Sequence, residues 1–158
     1  FVEFTTKFEK FDRILSHDEA SHIANISHEV LSSIEKTALS IDELIESEAR
    51  SRGLIHVDGK KEFAFGENRE LVLVDTFGTL DEDRWWDADS YLQQGVIQEL
   101  SKEFVRTHYL SIGHYDSLQS ARESGLDEPS IPSLPDNIIQ ETSELYGTMF
   151  ERITGESF

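Results

Sequence analysis

The 158-residue chain carries 14 Lys plus Arg against 32 Asp plus Glu, a formal charge of −18, with 37% hydrophobic residues that include 10 Phe, 4 Tyr and 2 Trp. That supports one folded domain across residues 1–158 rather than an acidic disordered tail. The charge argues against nucleic acid and anionic membrane as partners, because phosphates are repelled at long range, and no run reaches the ~18 apolar residues of a membrane span.

Zero Cys excludes disulfides, thiolate metal sites and cysteine nucleophiles, and fits a cytoplasmic setting. No signal peptide is expected. The opening Phe1-Val2-Glu3-Phe4, without an initiator Met, is expected to be the start of an excised or processed piece.

The first stretch, Phe1 to Ser16, places Phe1, Phe4, Phe8 and Phe11 at spacings of three and four, but Thr5-Thr6 interrupts the pattern and predicts irregular structure. From about Asn25 to Arg52, Leu31, Ile34, Ala38, Ile41, Ile45 and Ala49 recur at 3, 4, 3, 4 and 4, the period of a helix with one buried face. Gly53 follows as a left-handed helix end. Leu54 to Asp58, Lys61 to Phe65 and Leu71 to Asp75 are predicted strands, with Gly66-Glu67-Asn68-Arg69 as a turn.

An Asp-rich loop from Thr79 to Ser90 comes next, with Trp85-Trp86 expected to anchor it to the body. A second helix is predicted over about Gln94 to Tyr109. Pro129, Pro132 and Pro135 mark an extended connector, and a last helix runs from about Asp136, a candidate N-cap, to Arg152 before Gly155. Together these predict an α+β fold, an antiparallel sheet flanked by helices.

If the turn closes a hairpin in which paired positions sum to 137, Phe63 faces Val74 and Phe65 faces Val72 on an apolar side. Glu62 and Asp75 then stand directly opposite each other on the other side. Such a carboxylate pair is destabilising unless compensated, and Mg²⁺, which takes one or two carboxylates and completes its shell with water and phosphate, is the natural compensation. Lys60 on the same side adds an anion donor. The alternative is that both acids sit on a solvated edge, and Asp58-Gly59 is itself a good two-residue hairpin turn that would end the first strand early.

Other chemistries are poorly supported. The nine Gly form no phosphate-binding loop. His17, His22 and His28 lack zinc-site spacing, no G-x-S-x-G occurs, and Asp81-Glu82-Asp83-Arg84 lacks the alternation and glycine of an EF-hand. Lys102 and Arg106, four apart on a predicted helix, are either local charge balance or an anion site.

Read in order, several segments resemble the SAICAR synthetase (phosphoribosylaminoimidazole-succinocarboxamide synthase) family over nearly the whole chain. They are Phe4-Thr5-Thr6-Lys7 with His17-Asp18-Glu19, then Asp58-Gly59-Lys60-Lys61-Glu62-Phe63. Leu73-Val74-Asp75 with Asp81-Glu82-Asp83-Arg84-Trp85 follows, then Ser101-Lys102-Glu103-Phe104-Val105-Arg106, and finally Leu145-Tyr146 with the run Glu151 to Phe158. The wording is closest to the family's archaeal-like branch. Thr76 stands where many members have Glu, Leu80 where they have Pro, and Ala64-Phe65 lengthens one segment.

The resemblance implies the C-terminal part of an ATP-grasp-like fold, with the N-terminal nucleotide-covering lobe absent from this chain and needed as a partner. It also implies an ATP-dependent ligase that joins carboxyaminoimidazole ribonucleotide to L-aspartate and releases ADP and phosphate. Glu62 and Asp75 would be the Mg²⁺/ATP carboxylates, and Lys60 and Arg84 would hold the ribonucleotide's carboxylate or phosphate. Asp81 would orient Arg84, and Lys7, Lys102 and Arg106 are further candidates for anionic substrate groups. No general base is designated. A non-catalytic relative acting as an interaction module is the competing reading, an acidic divalent-metal hydrolase ranks below both, and homo-oligomer formation is left open.

Overall fold

The computed structural model describes residues 1–9 and 11–158. Its elements are mixed helices and short antiparallel strands, in agreement with the α+β expectation, but the strands form three separate two-stranded ribbons rather than one sheet. Two compact units emerge: residues 1–47 with 60–77, and residues 48–59 with 78–158.

The first unit begins with β1 (Phe4–Thr5) paired antiparallel to β2 (Ile14–Leu15). A helix that the sequence reading missed, α1 (His17–Ala24), follows. Its signal is Ser16-x-x-Glu19: the Glu19 amide donates to the Ser16 hydroxyl at 3.2 Å, and the Glu19 carboxylate accepts from the Ser16 amide at 2.9 Å, a reciprocal capping box. Asn25 ends the helix with φ 52°. Leu15, Ala20 and Leu31 are buried together, with Phe4 and Ile26 packed against them.

The long helix is present as α2 (His28–Ser51). Its predicted stripe from Leu31 to Ala49 is buried or half-buried, whereas Leu39 and Leu44 are exposed. The first unit closes with a hairpin, β4 (Phe63–Phe65) on β5 (Leu71–Leu73).

The second unit is organised on β3 (Leu54–Gly59), which pairs antiparallel not with its neighbour in sequence but with β6 (Asp83–Asp87). The predicted Asp-rich loop is therefore a strand at its centre. Trp85 is 2% exposed there and Leu54 is fully buried beside it, so the expected anchoring role of Trp85 is met. Asp87 caps α3 (Ala88–Gln94) by accepting from the Ser90 amide at 2.9 Å.

The predicted helix over 94–109 is corrected: α3 ends at Gln94, residues 95–102 are not helical, and only the second half of the span is helix. Trp86 bridges Glu99 before α4 (Glu103–Ser111) begins. Gly113 and Gly125 bracket α5 (His114–Ser124), which the sequence reading missed, and α6 (Asp136–Thr154) starts directly after Pro135, with Asp136 as its first helical residue.

Arg152 ties this unit together. Its guanidinium donates to the Gly53 carbonyl at 2.7 Å, to the Arg52 carbonyl at 3.3 Å and to Asp87 at 3.2 Å. Carbonyls at the end of α2 that have no helical partner are thus satisfied by a cation. Arg52 in turn donates to the carbonyls of Arg152 and Ile153 at the end of α6.

Candidate functional site

In the first unit, the β1–β2 ribbon positions Lys7. Beyond the last strand pair the Thr6 amide donates to the Arg13 carbonyl at 3.0 Å, and the Arg13 amide donates to the Thr6 hydroxyl at 3.1 Å. Thr6 is buried and Lys7 projects from the next position. The Lys7 ammonium meets the Glu62 carboxylate, and the Lys60 ammonium lies 3.1 Å from the other Glu62 oxygen. Two cations on one carboxylate hold Glu62 below its ordinary range, the Lys7 hydrogen bond contributing most. Three of the predicted residues thus gather in one cluster.

The hairpin register is corrected. Phe63 pairs with Leu73, Ala64 with Val72 and Phe65 with Leu71, so paired positions sum to 136. The Val74 amide donates to the Glu62 carbonyl at 2.9 Å, making Val74 the partner of Glu62. Asp75 lies one residue beyond, and strand alternation assigns it the side opposite Glu62. Its carboxylate accepts from the Thr76 amide at 2.8 Å.

The turn explains the slip. The Arg69 amide donates to the Gly66 carbonyl at 3.0 Å and Arg69 has φ 62°, the three-residue loop whose last position is left-handed. That loop fixes the register by geometry, and it puts Leu71 and Leu73 inward while Val72 and Val74 are exposed.

In the second unit, Arg84 is held by Asp58, not by Asp81 as expected. Arg84 Nε donates to Asp58 Oδ1 at 2.8 Å, and Nη2 donates to Oδ2. The pair lowers the Asp58 carboxyl below its usual range and raises the arginine. Asp81 instead accepts from the Tyr146 hydroxyl of α6 at 2.7 Å, and its carbonyl accepts from the Lys102 ammonium. Burial, helped by Asp81, pushes the Tyr146 phenol up to about 12.

Arg106 pairs with Glu103 within α4. Sequence reasoning missed Asp58 and Tyr146 as partners, because both contacts join residues far apart in the chain.

Among the described residues no three His, Asp or Glu side chains gather as a metal cage. Mg²⁺ needs only one or two carboxylates when phosphate and water complete its shell. Each Glu62 oxygen is taken by an ammonium group, so a magnesium ion carrying phosphate oxygens fits there only where Lys7 and Lys60 pass from Glu62 to those oxygens; the cross-strand pair with Asp75 is not part of that fit.

These features meet an independent likeness. The SAICAR synthetase family model matches residues 1–120, three-quarters of the chain. The chain belongs to the SAICAR synthetase family. It is 52% identical over 156 residues to a phosphoribosylaminoimidazole-succinocarboxamide synthase of Thermoplasma acidophilum, covering 99% of this chain and 53% of the relative. It is 49% identical to the enzyme of that name from Thermoplasma volcanium over the same shares. The chain thus spans about half the length of these curated relatives.

Among solved structures, a SAICAR synthetase in complex with ADP superposes with TM-score 0.68 at 24% identity, covering 100% of this chain and 52% of its own. A Saccharomyces cerevisiae SAICAR synthase complexed with SAICAR gives 0.70 at 22%, covering 93% and 45%. At these identities the structural likeness carries the fold.

Proposed function

We propose that this chain is the ribonucleotide- and Mg·ATP-binding portion of an ATP-dependent ligase of purine biosynthesis. The enzyme joins the carboxylate of carboxyaminoimidazole ribonucleotide to the amino group of L-aspartate, giving SAICAR, ADP and phosphate, in the cytoplasm. Family membership supports the reaction class, and the gathering of Lys7, Lys60 and Glu62 is the observation that carries the site. The names of the relatives and the ADP and SAICAR complexes of the solved neighbours point the same way.

A carboxylate is a poor acyl donor because hydroxide or oxide is a poor leaving group. Transfer of the terminal phosphoryl group to the carboxylate oxygen, with ADP leaving, makes an acyl phosphate. Attack by the aspartate amine then breaks the C–O bond, releases phosphate and forms the amide, and the amine gives up its proton.

Lys60 and Lys7 hold and neutralise anionic oxygens during the first step, which is largely a matter of positioning and charge. Glu62 would hold Mg²⁺, with Asp75 as a second candidate, and the ion when bound supplies charge neutralisation on the phosphates. Arg84 takes the ribonucleotide's carboxylate or phosphate, with Lys102 and Arg106 as further candidates for anionic substrate groups. The remaining N-terminal lobe of the enzyme covers the nucleotide.

Ligation tests this reading. With the N-terminal lobe supplied in the same chain, SAICAR forms, and Glu62→Ala lowers kcat about 100-fold or more. An unchanged rate overturns the assignment. The 158-residue piece alone is expected to show no ligation; turnover at an ordinary about 1–1000 per second would remove the need for a second lobe.

A further inference from the structure

The β3–β6 ribbon contains an irregularity whose effect is to turn one side chain over. His56 pairs with Trp85, but the next pair is Asp58 with Arg84, so Val57 is an extra residue on β3 with no partner on β6. In an unbroken ladder Val57 would pair with Arg84 and Asp58 would share the side of His56. With the extra residue, the sides separate.

His56 packs on the Trp85 ring at 4.8 Å in the interior and lies 3.4 Å from the buried Asp83 carboxylate. Asp58 goes with Arg84 to the exposed side. A bulge that re-aims a side chain beside a site is a recurrent use of this defect.

The consequence falls on the guanidinium. Arginine has five N–H donors in a rigid plane. Asp58 takes one on Nε and one on Nη2, the side-on edge. The end-on edge, Nη1 with the second Nη2 hydrogen, takes no hydrogen-bond partner among the described residues, although the Glu103 and Glu99 carboxylates act on the guanidinium through space, and the side chain is 44% exposed. A freely rotating arginine has neither a fixed plane nor a preferred edge. This one has both, and the edge it offers carries two parallel donors that match two oxygens of a phosphate or carboxylate.

We propose that Asp58, delivered by the Val57 bulge, is the positioning residue of Arg84, fixing the guanidinium so that its end-on edge receives the phosphate monoester of the substrate in a bidentate grip. This rests on the reading of Arg84 as an anion-binding residue and adds which group sets its geometry and which edge binds. Two effects of Asp58 oppose each other. Its charge repels an incoming anion, and its hydrogen bonds remove the disorder of a long side chain that binding would otherwise have to freeze. The anion on the far edge is separated from Asp58 by the width of the guanidinium and screened by water, so ordering dominates.

The test uses the full chain and ribose 5-phosphate as the probe, with affinity followed by titration and the Arg84 Nε–H resonance followed by NMR. The unsubstituted chain binds, and Arg84→Ala abolishes binding. Asp58→Asn weakens binding about fivefold, the order expected for ordering one long side chain, and the Arg84 Nε–H signal loses its downfield shift and its protection from exchange. Asp58→Glu, which keeps a two-oxygen acceptor, restores part of both while Asp58→Ala does not, so a merely structural role is separated by rescue at constant melting temperature.

Unchanged or tighter binding by Asp58→Asn, with Arg84→Ala inactive, overturns the positioning role and leaves the anion-site reading standing. Arg84→Ala binding normally, or no binding by the unsubstituted chain, overturns the reading of Arg84 and the proposal with it.

Discussion

Glu62 and Asp58 are both carboxylates held below their ordinary range by cations, yet the two regions hold them differently. Glu62 sits between Lys7 and Lys60, which are 54% and 50% exposed, on the rim of a short hairpin. Asp58 sits on a ribbon whose inner side carries the buried Trp85, Leu54 and Asp83. Exposed ion pairs contribute little to stability. The Asp58 and Arg84 side chains are themselves 50% and 44% exposed, so neither ion pair is one that folding depends on. What separates them is the scaffold: the Asp58–Arg84 pair takes its geometry from a ribbon with a buried inner side, and the Glu62 cluster from the rim of a short hairpin.

The sharpest break in that comparison comes from the core of the second region. Trp85→Ala, which empties the inner side of the β3–β6 ribbon, should cost about 3–5 kcal/mol, a large part of a domain's usual margin. Urea unfolding should show the midpoint collapsing. Arg152→Ala should cost about 2 kcal/mol by removing the donor to the Arg52 carbonyl and the cation beside Asp87, while the Gly53 carbonyl keeps the Ala88 amide, and its thermal midpoint should fall below that of any substitution in the Glu62 cluster.

Lys7→Met, by contrast, should change stability by less than about 1 kcal/mol. A larger loss would show that the cluster is structural after all.

Acid sharpens the contrast. Glu62 and Asp58 both ionise at lower pH folded than unfolded. The stability they contribute is complete above their unfolded values, 4.5 and 3.8, and is lost as the pH falls through the folded ones. Unfolding free energy measured from pH 6 down to about 2 should fall below pH ~4, and the slope should flatten in a Glu62→Gln, Asp58→Asn double variant. Smallest of all, Arg69→Gly relieves a left-handed non-glycine residue and should raise stability by a fraction of about 1 kcal/mol.

The same division decides what the sequence disclosed. The stripe on α2 is local, every three or four residues, and needs no partner to be seen. The hairpin was visible as two apolar runs around a turn, but its register depended on the backbone of Arg69, a residue with no sequence mark for φ 62°, so Glu62 and Asp75 were placed opposite each other when they are not. β6 was hidden because Asp83-Arg84-Trp85-Trp86-Asp87 is charged at both ends and its partner strand lies far away in sequence; Asp58 and Arg84 alone are 26 residues apart. A bulge at Val57 leaves no composition signal at all, and with it went the partner of Arg84.

Lys60 and Glu62 stand out for chemical reasons and Lys7 through the family resemblance alone, and the fold brings the three together. α1, by contrast, was legible in its capping box and was overlooked.

The most direct measurement is the thermal midpoint of the chain with the proposed N-terminal lobe supplied in the same polypeptide, in the presence and absence of Mg²⁺ and ADP, for the unsubstituted protein and for Glu62→Ala. The account predicts that both melt at nearly the same temperature without ligand, and that only the unsubstituted protein is stabilised when metal and nucleotide are added together. An equal rise in the Glu62→Ala variant would contradict it.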